Sequence, residues 1–286
     1  MINMKDYQIV QKKILNENVI KMDIYAPMVA KRCLAGQFVI LRVDKFGERI
    51  PLTIADYDRD NGIVSIIFQI VGSTTTKLSF LQVGDCLEDF VGPLGKATEV
   101  EEYERVCVVG GGVGCAISLP VAKAFYETDA EVISIIGFRN KDIVILEDEF
   151  KQYSDYNYVM TDDGSYGEKG FVTNKLEEVL SSKQVDKVYA IGPIMMMKNV
   201  VKVAMKYNVP SVVSLNPIMI DGTGMCGGCR VTVDGKVKFA CVDGPEFDGA
   251  LVDFDELLMR NRMYLEKERT HHEKTCNLLR GVVDEK

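Results

Sequence analysis

Val106-Cys107-Val108-Val109-Gly110-Gly111-Gly112-Val113-Gly114 is where the chain changes character. A short apolar run enters a glycine turn, and residues 116–126 then follow a helical spacing. This is the opening of a βα unit, in which bare backbone approaches a pyrophosphate resting on the partial positive charge of a helix N-terminus. The alternation continues downstream, with strands predicted at 132–137, 158–161, 187–191 and 211–215 and helices near 144–153, 172–180 and 194–207. Five strands alternating with helices predict an α/β doubly wound parallel sheet over residues 101–216. GGGVG departs from the spaced G-x-G-x-x-G fingerprint, and a tight turn without a ligand uses the same glycines. Gly192-Pro193-Ile194-Met195-Met196 follows the fourth strand, at the edge where open α/β sheets bind ligands. Met196 and Met197 also suit the core.

Upstream, β-type runs at 7–15, 19–25, 37–43, 63–71 and 85–91, broken at Asn61-Gly62 and Gly84-Asp85, predict an antiparallel β-barrel over residues 1–100. Arg49-Ile50-Pro51-Leu52-Thr53 joins a fixed cation, a stiff proline turn and a hydroxyl, a set suited to a phosphate and to the edge of a flavin ring. Val71-Gly72-Ser73-Thr74-Thr75-Thr76 offers a glycine turn with four hydroxyls, a second phosphate seat. Each is, by itself, also an ordinary barrel turn.

Past the sheet, Asp221-Gly-Thr-Gly-Met-Cys226-Gly-Gly-Cys229 and Cys241 form a D-x4-C-x2-C-x11-C pattern. A [2Fe–2S] cluster usually takes four thiolates, two on each iron. Glycines in and beside the motif let backbone wrap an inorganic core and aim N–H groups at its sulfides. Structural zinc also uses C-x2-C, although zinc ribbons present two such pairs and this segment has one pair plus a lone Cys241. Asp221 is either the oxygen donor that completes the set or a turn aspartate bonding its own backbone. The remaining region, 217–286, is read as this cluster module followed by a helix. That helix rests on the spacing of Phe254, Leu257, Leu258, Asn261, Tyr264 and Leu265. It is either a docking element or a peripheral helix packed on its own domain.

A length of 286 residues suits about two domains and a small module. The net charge of −8 argues against nucleic acid or an anionic membrane as partner. Of eight cysteines, only three fall in the motif; Cys33, Cys86, Cys107, Cys115 and Cys276 are scattered, as in a reducing compartment. The stretch MINMKDYQIV lacks a signal-peptide core, and no apolar run approaches the roughly 18 residues of a membrane span, so a cytoplasmic protein is expected. The two histidines, His271 and His272, sit in a charged tail and are expected to be solvated, not acid–base catalysts.

The barrel, RIPLT, VGSTT, Gly92-Pro93-Leu94-Gly95, GGGVG, the Gly192-Pro193 turn with Met195, and the cysteine module together resemble the ferredoxin–NADP+ reductase superfamily. Residues 161–167 and 170–172 add to the likeness. More narrowly, the order is similar to the electron-transfer subunits of dihydroorotate dehydrogenase, sulfide dehydrogenase and NADH-dependent reduced ferredoxin:NADP+ oxidoreductase. The resemblance implies FAD on Arg49, Pro51, Leu52, Thr53, Gln69, Ile70, Gly72, Thr74 and Thr75. It implies NAD(H) on Gly110, Gly111, Gly112, Val113, Gly114, Asp162, Gly192, Pro193 and Met195, and a [2Fe–2S] cluster on Asp221, Cys226, Cys229 and Cys241. Dihydroorotate-type subunits carry a fourth cysteine where Asp221 stands, so Asp221 points to the other two groups.

The implied activity is that of an NADH-dependent oxidoreductase subunit in which a flavin mediates and no side chain acts as acid or base. Arg139, just past the second strand, suits a 2′-phosphate or a ribose contact, while the resemblance favours NADH. No C-x2-C-x2-C-x3-C-P run is present, so further clusters are expected on a larger flavin and iron–sulfur partner that exchanges electrons with ferredoxin and NADP(H).

Overall fold

The computed structural model describes residues 4–268 and 270; His271, His272 and Cys276 lie outside the described residues. The first part contains β1 (Ile9–Asn16), β2 (Val19–Tyr25), α1 (Pro27–Ala30), β3 (Phe38–Arg42), β4 (Ile50–Asp58), β5 (Ile63–Gln69), α2 (Ser73–Phe80) and β6 (Asp89–Leu94). Its strands run in the order β1-β2-β5-β4-β3-β6, every neighbour antiparallel. The Ile9 N–H donates to the Asp85 carbonyl at 2.8 Å and the Leu87 N–H to the Tyr7 carbonyl at 3.0 Å, so the approach to β6 returns to the start of β1. That closes the sheet and removes its free edges. Period-2 alternation sends Met22 and Ile24 into the barrel core while Lys21 and Asp23 stay half-exposed.

Two barrel segments differ from the expected turns. Only Arg49 precedes the strand, and Ile50-Pro51-Leu52-Thr53 opens β4. Ser73 begins the helix α2, so the hydroxyls of VGSTT lie on a helical first turn. Consecutive threonines are weak helix formers, which hides this helix from propensity. The Thr75 Oγ1 fixes the helix start by accepting the Val71 and Gly72 N–H groups, each at 3.0 Å.

The second part contains β7 (Arg105–Gly111), α3 (Cys115–Tyr126), β8 (Glu131–Phe138), α4 (Glu147–Gln152), β9 (Tyr156–Thr161), β10 (Glu168–Lys169), α5 (Val172–Ser182), β11 (Lys187–Ile191), α6 (Ile194–Lys206) and β12 (Ser211–Ser214). The third contains β13 (Arg230–Val233), β14 (Lys236–Phe239), α7 (Ala240–Asp243), β15 (Glu246–Asp248) and α8 (Phe254–Asn261). The sheet order is β10-β9-β8-β7-β11-β12-β15, parallel except where β15 pairs antiparallel with β12. It holds the five expected strands and adds two short edges, β10 and β15.

Alternate residues of β7 serve opposite faces. Val106 and Val108 join the core under α3 and α4, and Cys107 and Val109 join the core under α5 and α6. The winding reverses between β7 and β11, whose carboxyl ends lie side by side with Gly110 opposite Ile191. Such a reversal opens a crevice for a ligand. Barrel residues Val19, Ala55 and Ile67 share a core with Cys115 and Ala116 of α3, which welds barrel to sheet. On the barrel's other flank, Phe38 and Ile40 of β3 pack with Met219, Cys229, Ala240 and Cys241. The helix α8 buries Phe254 and Leu257 against its own chain, while Tyr264 and Leu265, beyond its end, are exposed.

Candidate functional site

The crevice between β7 and β11 is walled by the expected glycines. Gly110 and Gly111 finish β7, Gly112–Gly114 makes one 3₁₀ turn, and α3 starts at Cys115. Gly112 takes the left-handed φ of +56°, and nothing lies within 4 Å of where a Cβ would stand. The turn therefore faces open space with bare backbone, as close approach by a pyrophosphate requires. Opposite, Pro193 caps the start of α6, so two helix N-termini flank the crevice. The three methionines separate: Met197 is buried, the Met196 sulfur lies against Gly111, and Met195 is exposed. Asp162 is exposed just after β9, and its N–H donates to the Phe138 carbonyl at 3.0 Å. The loop it opens is pinned to the segment after β8, because Ser165 Oγ accepts the Lys141 N–H at 2.8 Å. Arg139 is exposed in that segment.

In the barrel, the structure brings RIPLT and VGSTT together. Thr74 Oγ1, on the first turn of α2, donates to Glu48 Oε2 at 3.2 Å, one residue before Arg49. Sequence reading missed Glu48, whose only signal is its place beside Arg49. Pro51, Leu52 and Thr53 lie on β4 opposite Ile40, Val39 and Phe38 of β3. Gln69 ends β5, and the Ile70 N–H donates to the Asn18 carbonyl at 2.8 Å. Because β5 also touches the Gly112–Gly114 turn, the barrel seat adjoins the crevice.

The cysteine module sits on the far side of β3. Its x11 spacing is the length of a hairpin: Arg230 pairs with Phe239 at the open end of β13 and β14, while Asp234 and Gly235 make the turn with φ of +52° and +66°. This returns Cys241 to Cys229, and the Cys241 N–H donates to Cys229 Sγ at 3.5 Å. Burial, then the hydrogen bond with Cys229, pushes the Cys241 thiol up to about 12. Cys226 is exposed, two residues before Gly228. Its sulfur accepts the Gly228 N–H at 3.4 Å, and this bond, followed by one from the Asp221 backbone, holds its thiol below the usual range.

The Asp221 carboxylate accepts from Thr223 N at 2.9 Å, Thr223 Oγ1 at 2.5 Å and Met225 N at 3.2 Å, all through Oδ2. Those bonds, led by the Thr223 hydroxyl, lower its pKa, and the Arg49 cation adds to the effect. Among the described residues no three His, Cys, Asp or Glu side chains converge on a single metal-sized point. Asp221 thus makes the backbone bonds of a turn aspartate, and the hydrogen-bonded contact between motif cysteines is that of Cys229 with Cys241.

The comparisons follow the same division. The iron-sulfur cluster binding domain of dihydroorotate dehydrogenase B matches residues 216–253, and an oxidoreductase NAD-binding domain matches residues 108–202. A Thermotoga maritima dihydroorotate dehydrogenase B (NAD(+)) electron transfer subunit homolog is 48% identical over 93% of this chain and 94% of its own length. The chain belongs to this electron-transfer-subunit family. A Fusobacterium nucleatum dihydroorotate dehydrogenase B electron transfer subunit is 31% identical over 89% of this chain and all of its own. Among solved structures, a chain of NADH-dependent reduced ferredoxin-NADP oxidoreductase, studied for flavin-based electron bifurcation, superposes with a TM-score of 0.91. It is 46% identical and covers 96% of this electron-transfer subunit and 99% of that chain. Fold, family and the ferredoxin–NADP+ reductase likeness therefore agree with the sequence reading.

Proposed function

We propose that this electron-transfer subunit passes electrons between NAD(H), FAD and one [2Fe–2S] cluster to a larger flavin and iron–sulfur partner, in a heterodimer that bifurcates electrons between ferredoxin and NADP(H). The observation that carries the reading is that the three segments adjoin: β5 of the barrel touches the Gly112–Gly114 turn, and β3 packs on the cysteine loop. Each contacts the next through shared elements, so electrons need not leave the chain to cross it. FAD supplies the exchange between a hydride's electron pair and the single electrons that an iron–sulfur cluster carries.

The residues do the positioning. Arg49 sets a cation beside the flavin phosphate or ring edge, with Pro51, Leu52 and Thr53 on one strand and Gln69 and Ile70 on the next. Gly72, Thr74 and Thr75 offer the α2 N-terminus to the FAD pyrophosphate. Gly110, Gly111, Gly112, Val113 and Gly114 offer the α3 N-terminus to that of NAD(H), opposite Gly192, Pro193 and Met195, with Asp162 toward the ribose. Asp221, Cys226, Cys229 and Cys241 would hold the cluster, which would supply one-electron transfer. Free Cys33, Cys107 and Cys115 support a reducing, cytoplasmic setting, and no helix among the described residues is long and apolar enough to cross a membrane.

Service to a dihydroorotate dehydrogenase is the second reading, favoured by the matched cluster domain. Asp221 in place of a fourth cysteine argues for the first. Metal, sulfide and flavin analysis of anaerobically purified protein tests the assignment. About two irons, two sulfides and one FAD per chain are expected; stoichiometric zinc without sulfide would refute it.

A further inference from the structure

Asp221 is not a free carboxylate waiting for a metal. Its Oδ2 is fully engaged by Thr223 and Met225, and the Thr223 hydroxyl makes the shortest of the three bonds, at 2.5 Å. The two backbone donors belong to the loop whatever residue stands at 223, whereas the hydroxyl donor belongs to the threonine alone. A bond to one oxygen fixes the carboxylate and leaves Oδ1 as the atom free to meet a metal. The adjacent Gly222 lies against Ile40 and Leu94, which seats the loop on the barrel.

We propose that Thr223 is a positioning residue: its hydroxyl holds Asp221 in a one-oxygen attitude toward the cluster iron and draws electron density from that ligand. The inference rests on Asp221 being the fourth ligand, as proposed above. A donor withdrawn from a ligand leaves more charge on the oxidised iron, so the cluster becomes harder to reduce.

The test uses Thr223→Val, which keeps shape and loses the donor, and Thr223→Ser, which keeps the donor. Full-length protein with its cofactors is titrated electrochemically and followed by electron paramagnetic resonance. The expected result is a Thr223→Val cluster whose reduced-to-oxidised ratio at a fixed poise falls about three- to tenfold, tenfold being about 59 mV for one electron. Thr223→Ser stays near wild type, and FAD content is the same in both. Cluster loss in Thr223→Val that Thr223→Ser restores also supports the assignment. Wild-type potential and spectrum in Thr223→Val, while Asp221→Ala alters both, overturn the role of Thr223 alone. An unaltered spectrum in Asp221→Ala overturns the ligand assignment, and this inference with it.

Discussion

Arg49 stands before β4, beside Glu48, whose carboxylate accepts the Thr74 hydroxyl at the head of α2. It also lies near enough to Asp221 to help depress that carboxyl, so the start of β4 neighbours the cysteine loop. A charge-assisted hydrogen bond is worth about 1.5 to 3 kcal/mol, so Arg49→Ala should weaken FAD binding roughly tenfold or more. Fluorescence titration of apoprotein reads this directly, and unchanged retention counts against the assignment. At Gly112, a valine must enter a left-handed conformation at a cost of about 1 to 2 kcal/mol and fill the open space before the turn. Rapid mixing of Gly112→Val with NADH should show flavin left oxidised with FAD still bound; normal bleaching contradicts the role of the turn. Residue types and spacing exposed Cys226, Cys229, Cys241 and the glycine turn, because ligand chemistry and bare backbone leave compositional marks. Glu48 and Thr223 leave none, since their meaning lies in hydrogen bonds that only the folded loops create.

Among the elements, α3, α5 and α6 were legible because long apolar spacings announce amphipathic helices. The helix α2 was hidden by its threonines, and β4 by a proline that reads as a turn. The edges β10 and β15 are too short to show a period, and β15 pairs with a strand from the preceding domain. The β13 and β14 hairpin had a signal in Asp234-Gly235, a dipeptide suited to tight turns, and it is what makes the x11 spacing a geometric necessity. Docking of the cysteine loop on β3 gives a prediction at this scale. Gly222 has φ of +82°, and a Cβ there would stand 2.8 Å from Ile40 Cγ1 and 3.0 Å from Leu94 Cδ1. Gly222→Val should lift the loop from the barrel, lowering iron and sulfide content at least severalfold with FAD retained. A full cluster complement in this variant contradicts the docking role.

At the scale of the molecule, residues 244–248 tie the three parts together. The Lys96 N–H donates to the Gly244 carbonyl at 2.7 Å and the Leu215 N–H to the Pro245 carbonyl at 2.9 Å, while Thr98 Oγ1 donates to Glu246 Oε1 at 2.8 Å. Burial raises the Glu246 carboxyl from 4.5 to about 7; the Thr98 bond opposes that rise and Glu99 adds to it. The folded state therefore holds this proton more tightly than the unfolded chain, and stability falls as pH rises through that window. Glu246→Gln keeps an acceptor for Thr98 and has no charge to bury. It should gain up to about 3 kcal/mol at pH 8 and little near pH 4.5. Thermal melts at both pH values check this, and an equal difference at each contradicts it.

The same seam keeps crevice, barrel and cysteine loop in one row, which is the central claim. Its most direct measurement is anaerobic mixing of the purified chain with NADH, followed by visible absorption and by electron paramagnetic resonance of frozen samples. Bleaching of the flavin followed by the signal of a reduced [2Fe–2S] cluster, with no partner present, is the predicted result; flavin that stays oxidised, or bleaching with no cluster signal, would contradict it.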